Sequence, residues 1–263
     1  MASERAALVS QNPVCPIPPS LESLLEIRYF DPSGSDAREW RLVVGVMTCE
    51  GAPHSSADSR SRVQAMRLRL VAMNKDLVDH ARTLASERLA VSMPQRWAHV
   101  LGVARTASDI APKLLARDAD AIVAAAWLHD VGYAPSIAIT GFHPVDGARF
   151  AKSAGMPDLV VSLIAHHSGA SAEAIERGLT AELAEFDRPP DVALDVVTYA
   201  DMTTAPDGTP IDAERRVSEI LSRYSSDDPV HAAVSRSSAE LLSAVDRIKE
   251  QLRFAPAEAT QPR

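Results

Sequence analysis

Apolar residues recur at three- and four-residue steps through most of this chain, the spacing that places them on one face of a helix. From near Ser61 the positions Val63, Met66, Leu70, Met73, Leu77, Ala81 and Leu84 keep that step. Pro94 stands where a second helix opens, because proline suits the first helical turn, and the pattern carries on to about Leu115. Asp118 is the expected N-cap of a helix carrying Ile122 to Leu128, with Gly132 at its C-terminal exit. Helices around Val145–Ser153 and Leu159–His167 flank the break Gly155-Met156-Pro157. The second continues or restarts through Glu173-Ala174-Ile175-Glu176. Arg188-Pro189-Pro190 interrupts the chain before a helical Val192–Asp201, and two more helices follow at Asp212–Tyr224 and roughly Val230–Leu252. The pattern predicts an all-α helical body over residues 61–253 and a disordered tail over 254–263.

The first 60 residues differ in kind. Residues 1–23 are rich in Ser and Pro and read as mobile. Leu24–Phe30 and Trp40–Met47 are short strand-like runs separated by the turn signal Asp31-Pro32-Ser33-Gly34, which predicts a small β-hairpin. Residues 51–61 are polar and read as a linker. Two readings stand for residues 1–60: an accessory hairpin, or an upstream extension not needed for folding. Met73 would make a sensible start for the body, but the helical step running through Met66 and Met73 argues against a clean start there.

Composition narrows the classes. Hydrophobic residues make up 46% of the 263, enough for a packed core. A net charge of −8 without a basic run disfavours a polymeric nucleic-acid partner. The two cysteines, Cys15 and Cys49, both lie near the N-terminus, so thiolate metal sites and cysteine nucleophiles are disfavoured elsewhere. No signal peptide and no bilayer-length apolar stretch is evident, so no membrane partner is expected and the cytoplasm is the default compartment.

The chemistry concentrates in the middle of the chain. Of eight histidines, five fall from His99 to His167. A lone histidine on a helix is usually a core or surface residue, and His54, His80 and His231 are read so. His129-Asp130 is different. The pair ends the apolar run Ile122–Leu128, where burying ionisable groups costs several kcal/mol unless something compensates. A divalent metal does so directly, since neutral imidazole and carboxylate are its preferred ligands. His99 upstream and Asp201 downstream also sit on helices with apolar faces.

This order of His99, then His129-Asp130-Val131-Gly132, then Asp201 resembles the HD-domain superfamily of metal-dependent phosphohydrolases, over roughly residues 75–225. The resemblance implies a helical bundle in which His99, His129, Asp130 and Asp201 bind a divalent metal. Members with two ions carry two more histidines, and His143 and His166 have that spacing, with Asp130 bridging. His167 is then a further ligand, a leaving-group acid, or a brace for a ligand. The implied cofactor is one or two ions of Mn, Mg, Fe, Co or Ni. The guanosine-alarmone hydrolases and the cyclic-di-GMP phosphodiesterases carry motifs that Val131–Pro135 and Ser168-Gly169-Ala170 lack. His143-Pro144-Val145-Asp146-Gly147-Ala148, His166-His167-Ser168-Gly169 and Tyr199-Ala200-Asp201 are partly similar to bacterial HD hydrolases of dinucleoside tetraphosphates. The chain is also similar to actinobacterial HD proteins, a likeness without substrate information.

The expected activity is hydrolysis of a phosphoester or phosphoanhydride in a small, nucleotide-like substrate by a metal-activated water. Asp130 would anchor the ions and take a proton. Arg96, one helical turn before His99, is the candidate phosphate contact, ahead of Arg149 and Lys152. Two alternatives carry the same ligands: a di-iron oxygenase of the same superfamily, and a binding module without turnover. The oligomeric state stays open, because Leu241, Leu242, Val245, Ile248 and Leu252 could cover either the bundle or a partner.

Overall fold

A computed structural model describes residues 77–255. The expected hairpin, linker, first cysteines and first half of the Ser61 helix lie outside the described residues, as does nearly all of the expected tail. Within them the fold is all-α. There is no strand, only an isolated bridge between Thr204 and Pro210, and no described helix is long and apolar enough to cross a membrane.

A helix over 77–89 (α1) buries Ala81, Ala85 and Leu89 at four-residue steps. Next come α2 (Pro94–Leu114) and α3 (Ala119–Leu128), then a 3-10 turn at Val131–Tyr133. They are followed by α4 (His143–Ser153), α5 (Asp158–His166), α6 (Ala170–Arg177) and the short α7 (Thr180–Leu183). The chain closes with α8 (Asp191–Met202), α9 (Ala213–Arg223) and α10 (Pro229–Phe254). Asp212 and Asp228 cap α9 and α10, their carboxylates accepting from backbone N–H groups of the first turn. Asp118 stands at the N-cap of α3 as expected, yet its side chain makes no capping bond.

The centre of the bundle is α3, packed against α2, α5 and α8. Ile122 to Ala126 and Leu128 are all buried, so this helix has no polar face, which only a fully enclosed helix tolerates. Against α6, α8 and α9 lies α10, with Leu241, Val245 and Ile248 buried. The apolar stripe of the C-terminal helix therefore covers the bundle itself.

Two departures from expectation bear on function. The expected helix Leu159–His167 ends one residue early and, of the two expected courses, restarts as α6 rather than running on. Ser168 and Gly169 take φ of 42° and 82°, breaking the chain between His167 and Ala170. Gly132 is not a left-handed helix exit. It sits inside the 3-10 turn, where an added Cβ would lie 2.1 Å from the His143 carbonyl oxygen and 2.6 Å from the Gly147 nitrogen. Its missing side chain lets this turn press against the start of α4.

Candidate metal centre and cleft

The C-terminal ends of α3, α5 and α8 converge on one place. Each brings the negative end of its dipole, a setting that favours a cation. His129 and Asp130 follow α3, His167 follows α5, and Asp201 lies in the last turn of α8. His99 comes from α2 and His143 opens α4.

Their donor atoms form two groups, each with all atoms within 4.8 Å of one another: His99, His129 and Asp201, and Asp130, His143 and His167. Asp130 faces both. Its Oδ2 is 3.3 Å from His129 Nε2 and 3.8 Å from His99 Nε2, while Oδ1 is 3.5 Å from His143 Nε2. Five of the six residues are nearly enclosed, with exposures from 0% to 8%, and His143 is also largely covered.

Three imidazoles are oriented alike. The Nδ1–H of His99 donates to Ala205 O at 3.1 Å, that of His129 to Ala126 O at 2.8 Å, and that of His167 to Ile164 O at 2.7 Å. A carbonyl only accepts, so each Nδ1 carries the proton and a neutral ring presents its Nε2 lone pair inward. His129 Nε2 is buried without a hydrogen-bond partner, because its approach to Asp130 lacks hydrogen-bond geometry. His99 Nε2 lies 3.0 Å from Asp201 Oδ1, and His143 Nε2 lies 3.2 Å from His167 Nε2. Three inward lone pairs beside two carboxylates, each of the three rings braced from behind by a backbone carbonyl, are the donor set of a divalent cation. The residues fit the metal that their types imply.

Local packing sets these positions. Asp146, in the first turn of α4, accepts from the backbone N–H groups of Ile139, Thr140 and Gly141 and from the Thr140 hydroxyl, pinning the loop that delivers His143. An added Cβ on Gly102 of α2 would stand 2.5 Å from Gly208 O, so only glycine lets α2 close on the loop after Asp201 and bring His99 to Ala205.

The charges are strongly coupled. Burial pushes the Asp130 carboxyl up, but Arg96, His129 and His143 together hold it well below the usual carboxylate range. Burial opposes ionisation of Asp201 too, and the neighbouring His99, His129 and Arg216 together carry it downward. Burial and the neighbouring His167 hold His143 well below its ordinary value, and burial with His129 lowers His167. Burial pulls His129 down, but the charge of the adjacent Asp130 wins and raises it.

One expected ligand lies elsewhere. His166 Nε2 bonds to Phe186 O at 3.0 Å, and the residue is absent from both donor groups. His167 takes the place expected for His166. At φ −62° His167 still stands where the next helical residue would, so its ring leaves α5 roughly 100° round from that of His166, on the side facing the donors. His80 and His231 lie outside the groups as well.

A cleft of about 610 Å³, counting its open mouth, lies over the second group. Arg96 lines it as expected: its guanidinium donates to Asp130 Oδ2 at 2.8 Å and stacks 4.1 Å over the Tyr133 ring. Tyr133 in turn stacks on His143, with ring centroids 4.0 Å apart. Arg149 instead pairs with Glu185 at the surface, and Lys152 is exposed and does not line the cleft. The cleft also draws in Glu173, Arg216, Arg223 and Tyr224, which sequence reasoning missed. Arg216 had a signal: it falls in step with Ala213, Val217 and Ile220, a charge on the apolar face of α9.

No curated protein and no solved structure matches the chain significantly. The HD domain family matches residues 96–205, which run from Arg96 past Asp201 and contain all six clustered histidines and aspartates. This stretch of the chain therefore matches the HD domain, a family largely of metal-dependent hydrolases.

Proposed function

We propose that this protein is a metal-dependent phosphohydrolase that cleaves a phosphoester or phosphoanhydride in a small, nucleotide-like substrate. The observation that carries the reading is the pair of donor groups, with Asp130 of the second also facing the first, at the foot of an arginine-lined cleft. His99, His129 and Asp201 would hold one divalent ion, and Asp130, His143 and His167 a second. Such ions, when bound, make water acidic enough to attack at neutral pH and offset charge on a phosphoryl group.

The chain's own residues do the rest. Arg96 holds Asp130 in orientation and keeps it ionised, and the same guanidinium faces the cleft to meet a phosphoryl oxygen. Tyr133, between Arg96 and His143, fixes both by stacking. In hydrolysis the oxygen of water bonds to phosphorus, the P–O bond to the leaving group breaks, and a proton passes from the water to the departing oxygen. Glu173, on the cleft wall, would return that proton, since burial holds its carboxyl above the ordinary range against the pull of Arg177. Of the three roles open to His167, ligand, leaving-group acid or brace, its Nε2 turned toward His143 among the donors favours the first.

The test is a phosphate-release screen on phosphoesters and phosphoanhydrides with Mn, Mg, Fe, Co and Ni supplied separately, with oxygen uptake followed in parallel. Phosphate or nucleotide release that needs added metal and collapses in Asp130→Ala is expected. Release unchanged in that variant, or oxygen uptake without release, overturns the reading.

A further inference from the structure

Behind the arginine wall of the cleft lies a second cavity of about 640 Å³ with its mouth, lined by Met93, Pro94, Gln95 and Pro206 together with His99. Three residues line both cavities: Arg96, Arg216 and Arg223. Their charges are unequally matched. Arg96 has Asp130. Arg216 and Arg223 both donate to one carboxylate, that of Glu219. The other acid near Arg216 is Asp201, at 3.9 Å, and it belongs to a donor group for a cation. Arg216 is only 4% exposed, and its Nε–H is buried without an acceptor. Two guanidinium groups that share one close carboxylate, one of them buried with a donor unmet, are short of anionic oxygen among the described residues.

We propose that Arg216 and Arg223 form a second anion seat, so that the substrate carries two anionic groups: the phosphoryl group that reacts, and another that lies against these arginines where the two cavities meet. The inference rests on reading the cleft as a phosphoryl site. The second group is a phosphate or a carboxylate, either of which supplies the oxygens that a guanidinium fork grips. The remainder of the ligand extends toward the second cavity, whose other walls carry no acid.

Binding of three non-hydrolysable probes to the full chain with Mn²⁺ in excess tests this: methylphosphonate, phosphonoacetate and methylenediphosphonate. At least one two-group probe is expected to bind roughly tenfold more tightly than methylphosphonate, about the gain of one charge-assisted contact. If both do, the seat takes either anion; if methylenediphosphonate alone does, the seat is for phosphate; if phosphonoacetate alone, for carboxylate. The preference should vanish in Arg223→Ala, whose side chain is partly exposed. It should also vanish in Arg216→Lys, which keeps the buried charge but loses the fork. Arg215→Ala, exposed on the same helix, should keep it. Equal affinity for all three probes overturns the second seat and leaves the phosphoryl site standing. A preference that survives both Arg216→Lys and Arg223→Ala also overturns it, because metal chelation then accounts for the difference. If no probe binds, both readings fall.

Discussion

Nε2 of His143 lies 3.2 Å from Nε2 of His167, although the residues open and follow different helices. His167 already donates its Nδ1–H to Ile164 O, so its Nε2 brings a lone pair to that meeting. His166, its neighbour in sequence, spends its Nε2 on Phe186 O. His167→Ala should therefore weaken metal binding beyond the ~10–100-fold typical of losing an outer partner of a ligand. His166→Ala should leave it within about threefold, well short of that range. Metal titration of both variants checks this, and the reverse ranking would return His166 to the donor set.

Gly132→Ala would drive a Cβ into backbone atoms of His143 and Gly147, which cannot swing aside as a side chain can. The cost should reach or exceed the ~1–3 kcal/mol of ordinary overpacking. Because the turn and α4 must separate, His143 should leave Asp130, and bound metal should fall toward one ion per chain. Urea unfolding and metal stoichiometry measure the two effects. A variant as stable and as metal-rich as the parent contradicts this account of Gly132.

Ser168 holds a left-handed backbone, and its hydroxyl is buried without a partner. Ser168→Gly should keep the parent's stability, since glycine accepts that φ freely and its larger unfolded-state entropy offsets the relief. Ser168→Val should lose about 1–3 kcal/mol, because a β-branched side chain fits that region badly. Denaturant midpoints of the two variants give the comparison. A valine variant matching the glycine one would mean that the turn between α5 and α6 relaxes readily.

Acid should unfold the metal-free protein in two stages. The folded-state pKa values of His143 and His167 lie below the ordinary 6.5, so the unfolded chain takes those protons first, and stability falls as pH drops below that value. His129, shifted upward, opposes part of this loss. Asp130 and Asp201 are shifted below the ordinary 3.8, so their contribution is present above that pH and is lost beneath it. Thermal melts from pH 8 to pH 3 with a chelator should show both limbs, and Asp201→Asn should flatten the lower one. A melting temperature that rises on acidification from pH 7 to pH 5 contradicts the first stage.

The helices and the donor types were legible in the sequence because both are local properties. A three- and four-residue apolar step builds an amphipathic helix wherever it occurs, and it located α2, α5, α8 and α10 to within a few residues. His129-Asp130 at the end of an apolar run announced a compensated charge through its composition alone. Tertiary structure decided what depends on direction. Whether His166 or His167 turns inward follows from which side of the end of α5 meets the other donor helices, and two adjacent histidines carry no sign of it in their order. The expected C-cap role of Gly132 gave way to a close approach between segments that only packing brings together. Arg216 and Arg223 reach the cleft because α9 folds back beside α8 and α10, so their role becomes visible only once helices distant in the chain share a wall.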